Sequence, residues 1–417
     1  MSTNKVKVHL ATSQSCLPEN ELSIIYLMLQ LKQPKIALDK NRLPLNVSFV
    51  LDRSGSMSGS KLEFTREAVA FALSNLDPDD TVSVVAFDDL VEVSVPATRA
   101  ENTDYLKQLL QGLYARGTTN LSGGLLEGAE QVKKNYRKDA INRVVLLTDG
   151  LANEGVSDPA RLVELVKNIY AGGISFSTLG VGDDFNEDLL VDMAEAGNGN
   201  FYFIASPEAI PEIFKEELQG LLSVTGQNPV VEIHPAENVR VHAVFGYEPV
   251  FNNGATIKLP DIYNGDTKTV LAELHVKSGA SGMMPLARVN FRYHDVVSEL
   301  TTVSYDVDLS LEVSSDADKI RKGIDLRVHK EVEIFKAAQA REDAFKEADR
   351  GDFEASRRRL KKQAKKLRLL YEECGDDEIK AQLEDLEKDM EAMDNTTYSA
   401  TIRKEMKDKS YRARRKR

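Results

Sequence analysis

The sequence predicts an α/β domain that is inserted into a β-sandwich and followed by a C-terminal α-helical module. Three patterns in the 417-residue chain support this prediction. Strand-like and helix-like segments alternate over 44–222, strand-like segments alone fill 6–32 and 230–309, and helical spacing of apolar residues begins at 317. The repeated strand–helix units predict a mostly parallel sheet with helices on both faces.

The predicted domain boundaries follow these changes of pattern. Residues 1–33 and 228–311 form the two parts of the sandwich, because the N-terminal strands need sheet partners and an isolated hairpin is only marginally stable. The α/β domain covers 43–222, a helical hairpin module covers 316–395, and a basic, disordered tail covers 396–417. In the alternative arrangement, the C-terminal strands form a separate sandwich and the N-terminal strands pack elsewhere.

The composition restricts the partners and the location of the protein. A net charge of −12 opposes binding of nucleic acid or anionic membranes by the chain as a whole. The two cysteines, Cys16 and Cys374, lie in different predicted domains, so a disulfide framework is not expected. No signal peptide is recognisable at the start of the chain, and the longest apolar run, 22–31, is too short to span a membrane as a helix. These features predict a cytoplasmic protein.

The candidate site lies in the segment 45–61, which reads LNVSFVLDRSGSMSGSK. An apolar run predicts a buried strand, and polar residues then precede a helix. Asp52, Ser54 and Ser56 therefore lie at the carboxyl edge of the sheet, where ligands bind in open α/β sheets. One carboxylate and two hydroxyls at alternate positions are hard oxygen ligands. They favour Mg²⁺, Mn²⁺ or Ca²⁺ over zinc or copper.

The D-x-S-G-S pattern after a buried strand resembles the metal-ion-dependent adhesion site (MIDAS) of von Willebrand factor type A (VWA) domains. Two later segments resemble the other parts of that site. The sequence Gly117-Thr118-Thr119-Asn120 is similar to the threonine loop, with Thr119 as the better match, and 144–150, VVLLTDG, is similar to the strand that ends in Asp149. The resemblance covers 44–222 and implies a Rossmann-like VWA domain.

The resemblance also implies a set of metal ligands and a function. Ser54, Ser56 and Thr119 are expected to contact one Mg²⁺, or alternatively Mn²⁺ or Ca²⁺, whereas Asp52 and Asp149 act largely through water. The neutral hydroxyls leave much of the metal charge unneutralised, so an Asp or Glu of a partner protein completes the shell. We therefore expect a non-enzymatic binding or scaffold protein. The chain is also similar to bacterial VWA proteins grouped with the "calcium-activated chloride channel" type, but it shows no membrane span that would support a channel function.

Other interpretations use the same residues differently. An adaptor of an AAA+ ATPase of the MoxR or chelatase type would use the same site and would need that ATPase as its partner. A hydrolase would use the metal to activate water, but no general base stands out near the site. A phosphate-binding P-loop and a nucleophile elbow both fail on the spacing of Gly55 and Gly59. A Ser/Gly-rich turn without a ligand is the least specific interpretation.

Opposite charges separate along the predicted C-terminal helices. A long helix is predicted over 318–348, residues 357–368 carry eight basic residues and no acids, and 376–394 carry nine acids and two lysines. We expect the basic and acidic helices to pair as an antiparallel hairpin. Binding of nucleic acid or an anionic surface by the basic helix and the tail is the less favoured hypothesis.

Four histidines fall on the predicted C-terminal strands. They are His234, His242, His275 and His294. They show neither H-x-H nor H-x-x-x-H spacing and have no cysteine nearby. We therefore expect ordinary strand histidines rather than a zinc site.

Overall fold

The computed structural model describes residues 5–36, 42–297, 301–393 and 398–415. The contacts of the chain divide it into two units. One unit consists of Met1–Ala37 together with Thr225–Arg417, and the other consists of Leu38–Val224. The chain therefore leaves the first unit, builds the whole second unit and returns to the first.

The elements are numbered in chain order. The first unit begins with the strands β1 (Lys7–Thr12), β2 (Cys16–Pro18) and β3 (Leu22–Lys32). The strands of the second unit are β4 (Leu45–Asp52), β5 (Thr81–Phe87), β6 (Val91–Arg99), β7 (Ile141–Thr148), β8 (Ser175–Val181) and β9 (Asn198–Ile204). Its helices are α1 (Ser60–Ser74), α2 (Thr103–Leu110), α3 (Leu121–Lys134), α4 (Pro159–Ala171), α5 (Glu187–Ala196) and α6 (Ile210–Leu222).

The rest of the chain contains strands first and helices afterwards. The strands are β10 (Val224–Pro235), β11 (Val239–Phe245), β12 (Val250–Phe251), β13 (Ala255–Lys258), β14 (Ile262–Tyr263), β15 (Thr267–Lys277), β16 (Gly282–Asp295) and β17 (Thr302–Ser314). The helices are α7 (Ala317–Lys322), α8 (Leu326–Ala348), α9 (Phe353–Cys374), α10 (Asp377–Ala392) and α11 (Ala400–Arg415). Among the described residues, none of these helices combines the length and the apolar character needed to cross a membrane.

The second unit contains one six-stranded sheet with the order β6-β5-β4-β7-β8-β9. All neighbouring strands are parallel except β6, which is an antiparallel edge strand. Phe49 of β4 packs on Phe214 of α6 at 5.1 Å between ring centroids. The next residue, Val50, faces α3, where a Cβ on Gly128 would lie 2.3 Å from Val50 Cγ2. Because successive strand residues point to opposite faces, α3 and α6 cover opposite faces of the sheet. The predicted α/β fold is confirmed.

The first unit contains the sandwich, and its two sheets are built from both ends of the chain. One sheet has the order β1-β3-β15-β11; the other has the order β12-β13-β10-β16-β17-β2, with β14 paired to β10. Strand β3 pairs with β15 over its full length, from Leu22–Lys277 to Lys32–Thr267. Leu29 and Leu274 of one sheet share a core with Val231 and Phe291 of the other. The inserted arrangement is therefore correct, and the separate C-terminal sandwich is wrong.

Helix α8 covers the outer face of the four-stranded sheet. Its residues Val328, Val332 and Phe335 pack against Met28 and Leu271, which are register partners on β3 and β15. The strand neighbours of those two residues point the other way, into the sandwich core. Helix α8 and the outer face of the sheet therefore form a second apolar core, separate from the core of the sandwich.

The long helix predicted over 318–348 is interrupted, which corrects that prediction. Helix α7 ends at Lys322, and α8 begins at Leu326 with Asp325 as its N-cap. Between them, the Gly323 carbonyl accepts a hydrogen bond from the Ser15 amide at 2.8 Å, and the Asp325 amide donates to the Ser13 carbonyl at 3.0 Å. The backbone groups that would continue the helix bond instead to the N-terminal part of the chain.

The basic tail, for which disorder was predicted from residue 396, contains helix α11, so that prediction is wrong over Ala400–Arg415. Met406 and Tyr411 are 1% exposed. The Lys409 Nζ lies 3.2 Å from Asp389 Oδ1, and Arg414 pairs with Glu342 at 2.9 Å. Acidic residues of α8 and α10 thus neutralise basic residues of α11, which a count of charges within the tail alone does not reveal. Residues 396, 397, 416 and 417 lie outside the described residues.

The basic and acidic helices pack together, but mostly not through their charges. Apolar residues of α9 and α10 share one core, including Leu360, Leu367, Leu383 and Leu386. Within the described chain, a single ion pair joins the two charged runs, from Arg368 to Glu387. Six exposed basic residues of α9 form no ion pair with any described residue; they are Arg357, Arg358, Lys361, Lys362, Lys365 and Lys366. The amphipathic helices bury their apolar faces against each other, which turns the charged faces outward.

We propose that the sandwich folds only when its N-terminal and C-terminal strands are both present, whereas the α/β domain folds by itself. Two truncations should therefore have unequal effects. Deleting residues 1–32 removes β1 and β3 from the four-stranded sheet and exposes β15 as an edge. We expect the shortened protein to aggregate, whereas a fragment covering 44–222 should remain monomeric and folded. Size-exclusion chromatography and thermal melting measure both effects. A deletion that leaves the melting curve of the remaining protein unchanged would contradict the split sandwich as a cooperative unit.

Candidate functional site

The candidate site lies where β4 and β7 end side by side. These two parallel strands are in register from Leu45–Ile141 to Leu51–Leu147. Asp52 is the last residue of β4, and Asp149 follows the last residue of β7. The register of the sheet therefore brings the two carboxylates to the same edge.

Asp52 is fully buried and has a hydrogen-bond partner on each oxygen. Its Oδ1 accepts from the Ser54 backbone amide at 2.7 Å, and its Oδ2 accepts from Thr148 Oγ1 at 2.5 Å. The pKa of Asp52 is raised to about 6, mainly by burial and also by the charge of Asp149, while the hydrogen bonds from Thr148 and Ser54 act in the opposite direction. The carboxylate is held firmly, but its charge is unfavourable here without a cation.

Asp149 is also fully buried, and it joins the serines to a lysine. Ser56 Oγ donates to Asp149 Oδ1 at 2.7 Å, and Ser54 Oγ lies 3.1 Å from Ser56 Oγ. The other oxygen, Oδ2, accepts from Lys61 Nζ at 2.5 Å. Lys61 lies in the first turn of α1, and its side chain is 22% exposed. This ammonium group balances one of the two buried negative charges.

The position of Thr119 is defined by the glycine opposite it. A Cβ on Gly150 would lie 3.3 Å from Thr119 Oγ1, 3.8 Å from Asp52 Oδ2 and 3.9 Å from Ser56 Oγ. Three side-chain oxygens therefore surround one point, two from the end of β4 and its following loop and one from the threonine loop. The point stays open because residue 150 has no side chain. All five residues predicted for the site thus meet at this edge of the sheet.

The threonine loop is attached to the loops on both sides of it. The Gly55 amide donates to the Gly117 carbonyl at 3.1 Å, and the Thr119 amide donates to Asn153 Oδ1 at 2.7 Å. Gly117 has a φ of +68°, and a Cβ there would collide with the Asp89 carboxylate. Only glycine fits this position, which explains why the loop begins with it.

A buried ionic cluster beneath the loops was not predicted from the sequence. Asp88 Oδ2 accepts from Arg53 Nε at 2.8 Å and from Arg116 Nε at 2.7 Å, while Asp88 Oδ1 accepts from the Leu90 amide. Burial opposes the charge of Asp88, but the Arg116, Leu90 and Arg53 interactions together hold its pKa below the ordinary value. Arg53 adjoins Asp52 and Arg116 adjoins Gly117, so the cluster couples the two loops. The sequence signal was the pair of arginines next to the motif residues.

The donor set fits a hard divalent cation. It consists of two carboxylates and three hydroxyls, with no imidazole or thiolate, and oxygen ligands of this kind suit Mg²⁺, Mn²⁺ and Ca²⁺. The space over Gly150 that a methyl group would fill adjoins three of the five groups. Lys61, which also contacts the set, shows that Asp149 attracts positive charge at this point.

Residues 46–216 match the family model of the von Willebrand factor type A domain. Over 324 residues the chain is 28% identical to the uncharacterized protein sll0103 of Synechocystis sp., and this match covers 74% of this chain and 76% of that protein. It is 29% identical over 239 residues to the uncharacterized protein YfbK of Escherichia coli, covering 55% of this chain and 41% of YfbK. It is 35% identical over 166 residues to human inter-alpha-trypsin inhibitor heavy chain H3, covering 38% of this chain and only 18% of that protein.

Two solved structures share the fold over nearly the whole chain. One is described as von Willebrand factor type A from Catenulispora acidiphila; it has a TM-score of 0.73 and 18% identity, and the match covers 95% of this chain and 93% of that one. The other is the ArnB paralog VWA2 from Sulfolobus acidocaldarius, with a TM-score of 0.66 and 18% identity over 99% of this chain and 98% of that one. At this identity, the likeness concerns the fold alone.

The raised pKa of Asp52 predicts how the stability of the metal-free protein depends on pH. Between the ordinary pKa of 3.8 and about 6, the folded protein binds this proton more tightly than the unfolded chain does. The Asp52 contribution to stability is therefore fully present below pH 4 and is lost as the pH rises through 6, by roughly 3 kcal/mol. The variant Asp52→Asn lacks this titration. In EDTA, its free energy of unfolding should rise relative to that of the wild type over this pH range.

Chemical denaturation of both proteins at several pH values measures this difference. Since all other groups are shared, their titrations cancel in the comparison. A difference between the two proteins that stays constant from pH 4 to pH 7 would show that folding does not raise the pKa of Asp52.

Proposed function

We propose that this protein, whose residues 46–216 form a von Willebrand factor type A domain, binds partner proteins through a divalent metal ion at the sheet edge described above. In this proposal, Ser54, Ser56 and Thr119 contact the ion directly, and Asp52 and Asp149 act largely through water. Mg²⁺ is the proposed ion, and Mn²⁺ or Ca²⁺ would accept the same donors. When bound, the ion offers an electrophilic position to an Asp or Glu carboxylate of the partner.

The charge balance of the site is the main support for this proposal. Asp52 and Asp149 bring two negative charges, the hydroxyls are neutral, and Lys61 adds a positive charge in contact with Asp149. With a divalent ion in place, the group as a whole is positively charged. Positive charge in a partly buried site attracts an anionic oxygen and increases the rate of encounter with an acidic partner.

The surroundings of the site favour a protein partner over a small anion. Three large apolar residues on the adjoining loops are more than half exposed: Leu90, Tyr114 and Leu151. Leu90 donates its amide to Asp88, Tyr114 Oη accepts from Arg116, and Leu151 follows Gly150 directly. Exposed apolar groups around a charged centre are typical of protein interaction sites.

A binding role also agrees with the way in which the carboxylates are used. Asp52 accepts hydrogen bonds on both oxygens, and Asp149 accepts from Ser56 and Lys61. Neither carboxylate is therefore placed to remove a proton from a substrate, as a general base must be. We accordingly propose a non-enzymatic role. The free thiols of Cys16 and Cys374 suit a reducing compartment, and we propose a cytoplasmic location.

Removing one hydroxyl ligand should abolish metal-dependent capture of partners. We compare Ser54→Ala with Ser58→Ala, because Ser58 lies in the same loop, is exposed and belongs to no predicted ligand set. In a pull-down from lysate, the wild type and Ser58→Ala should recover the same proteins in Mg²⁺ and lose them in EDTA. Ser54→Ala should recover none of them in either buffer while keeping its melting temperature.

The partners recovered in this experiment also test the adaptor hypothesis. If an AAA+ ATPase is recovered in the Mg²⁺ buffer but not in EDTA, the protein acts as an adaptor of that ATPase. If Ser54→Ala and the wild type recover the same proteins in both buffers, the sheet edge is not the binding surface.

Filling the space above the site should weaken the metal without unfolding the domain. In Gly150→Ala, the new methyl group lies 3.3 Å from Thr119 Oγ1 and approaches Asp52 and Ser56. We expect the Mg²⁺ affinity to fall by about tenfold or more, as seen when the surroundings of metal ligands are altered. The control is Gly112→Ala, where an added Cβ makes only an ordinary contact of 3.5 Å with the Leu109 carbonyl. Calorimetric titration with Mg²⁺ measures both, and equal affinities in the two variants would place the ion elsewhere.

A further inference from the structure

Two histidines and a glutamate meet on the sandwich, in the unit that does not contain the MIDAS-like site. His242 lies on β11, and Glu273 and His275 lie on the neighbouring strand β15. One ligand atom from each residue lies within 4.8 Å of the other two, and within the described ranges no other three His, Cys, Asp or Glu side chains meet in this way. We propose that these residues bind a transition-metal ion of the Zn²⁺, Cu²⁺ or Ni²⁺ class.

The strand geometry brings the three side chains to one face. Glu273 and His275 are two residues apart on β15, so they point to the same side of the sheet. On β11, the register shifts between the pairs Val241–Leu274 and Ala243–Glu273, which makes His242 the extra residue of a β-bulge. Bulges redirect a side chain and are frequent beside functional sites. Here the bulge places His242 beside the other two groups.

The distances between the groups suit a shared ion. His275 Nε2 lies 3.0 Å from Glu273 Oε1. The rings of His242 and His275 stack with centroids 4.2 Å apart and an interplanar angle of 14°. Ligands of a tetrahedral ion at ordinary Zn–N and Zn–O distances lie about 3.4 Å apart. The ligand atoms lie within 4.8 Å of one another, so they need only a small approach to share one ion.

The chemistry of the three groups selects a different metal from the MIDAS-like site. Imidazole nitrogens suit Zn²⁺, Cu²⁺ and Ni²⁺, whereas Mg²⁺ and Ca²⁺ prefer oxygen. Two histidines and one carboxylate also form a known ligand set for zinc that leaves one position open. Arg240 is exposed and lies opposite His275 in the register, and its positive charge opposes the binding of a cation. The negative charge of Glu273 offsets this repulsion. His242 is exposed, so an ion reaches the site directly from solvent.

In this proposal, His242 and His275 are metal ligands, whereas the sequence favours ordinary strand histidines. Short spacings in the sequence do not indicate this group, because His242 lies on a different strand from Glu273 and His275 and the two strands are adjacent only in the sheet. The sandwich also provides an internal control. Glu232-Ile233-His234 on β10 repeats the Glu-x-His spacing of Glu273-Leu274-His275, with His234 Nε2 3.6 Å from Glu232 Oε2. Among the described residues, no third ligand joins that pair.

Calorimetric titration of the full chain with Zn²⁺ in excess Mg²⁺ tests the proposal. The wild type should bind one Zn²⁺ at this site, and His234→Gln should bind it equally well. His242→Gln and His275→Gln should each weaken binding by about 10- to 100-fold, because each removes a direct ligand. Ser54→Ala should bind Zn²⁺ like the wild type, which separates this site from the MIDAS-like site.

Two further measurements guard against loss of folding and against unspecific binding. The histidine variants change half-exposed or exposed side chains, so their melting temperatures without metal should match that of the wild type. Zn²⁺ should raise the melting temperature of the wild type and of His234→Gln by more than that of His275→Gln. The proposal is overturned if His234→Gln loses as much affinity as His242→Gln, if Ser54→Ala abolishes Zn²⁺ binding, or if all variants bind equally.

Discussion

The geometry of the candidate site depends on the burial of one carboxylate at the end of the central strand β4. Asp52 is fully buried, so each of its oxygens requires a hydrogen-bond donor. The donors are the backbone amide of Ser54, which sets the turn after β4, and the hydroxyl of Thr148, which fixes the end of β7. The same carboxylate therefore orders the serine loop and the position of Asp149. The third loop is tied to this pair by Gly117 and by the ionic cluster around Asp88.

The metal-free site holds its charges at an energetic cost, and that cost is consistent with a binding role. Two buried carboxylates lie at one edge of the sheet, Lys61 is the one cation within the described ranges that pairs with either of them, and the pKa of Asp52 is raised mainly by its burial. Functional sites often store unfavourable electrostatics that a ligand relieves. Lys61 neutralises Asp149, and no ion pair to Asp52 is present in the part of the chain that the structure describes. A bound cation would therefore stabilise the ionised form of Asp52.

The sandwich shows how a chain that is interrupted by a whole domain still forms one continuous sheet. Strand β3 precedes the inserted domain, β15 follows it, and the two pair over eleven residues between β1 and β11. Helix α8 then packs on the outer face of the same sheet through Phe335 and its neighbours. Because β3 contacts the sandwich core on one side and α8 on the other, three distant parts of the chain depend on one strand. The His242 cluster lies on the neighbouring strands β11 and β15, so the same sheet also carries the second candidate metal site.

Local patterns in the sequence were sufficient to predict the fold class and to place Asp52, Ser54 and Ser56 at the sheet edge, and the resemblance to VWA domains added Thr119 and Asp149. Alternating strands and helices identify a parallel sheet, and a motif at the end of a buried strand must lie at its carboxyl edge. The remaining features depend on contacts between distant segments. The break between α7 and α8 arises from hydrogen bonds to Ser13 and Ser15, and α11 is ordered by acids of α8 and α10. Lys61, the Asp88 cluster and the His242–Glu273–His275 group also join residues that are far apart or whose spacing carries no signal. Composition and periodicity report what each segment favours by itself, whereas charge pairing and strand register are decided only when the segments pack together.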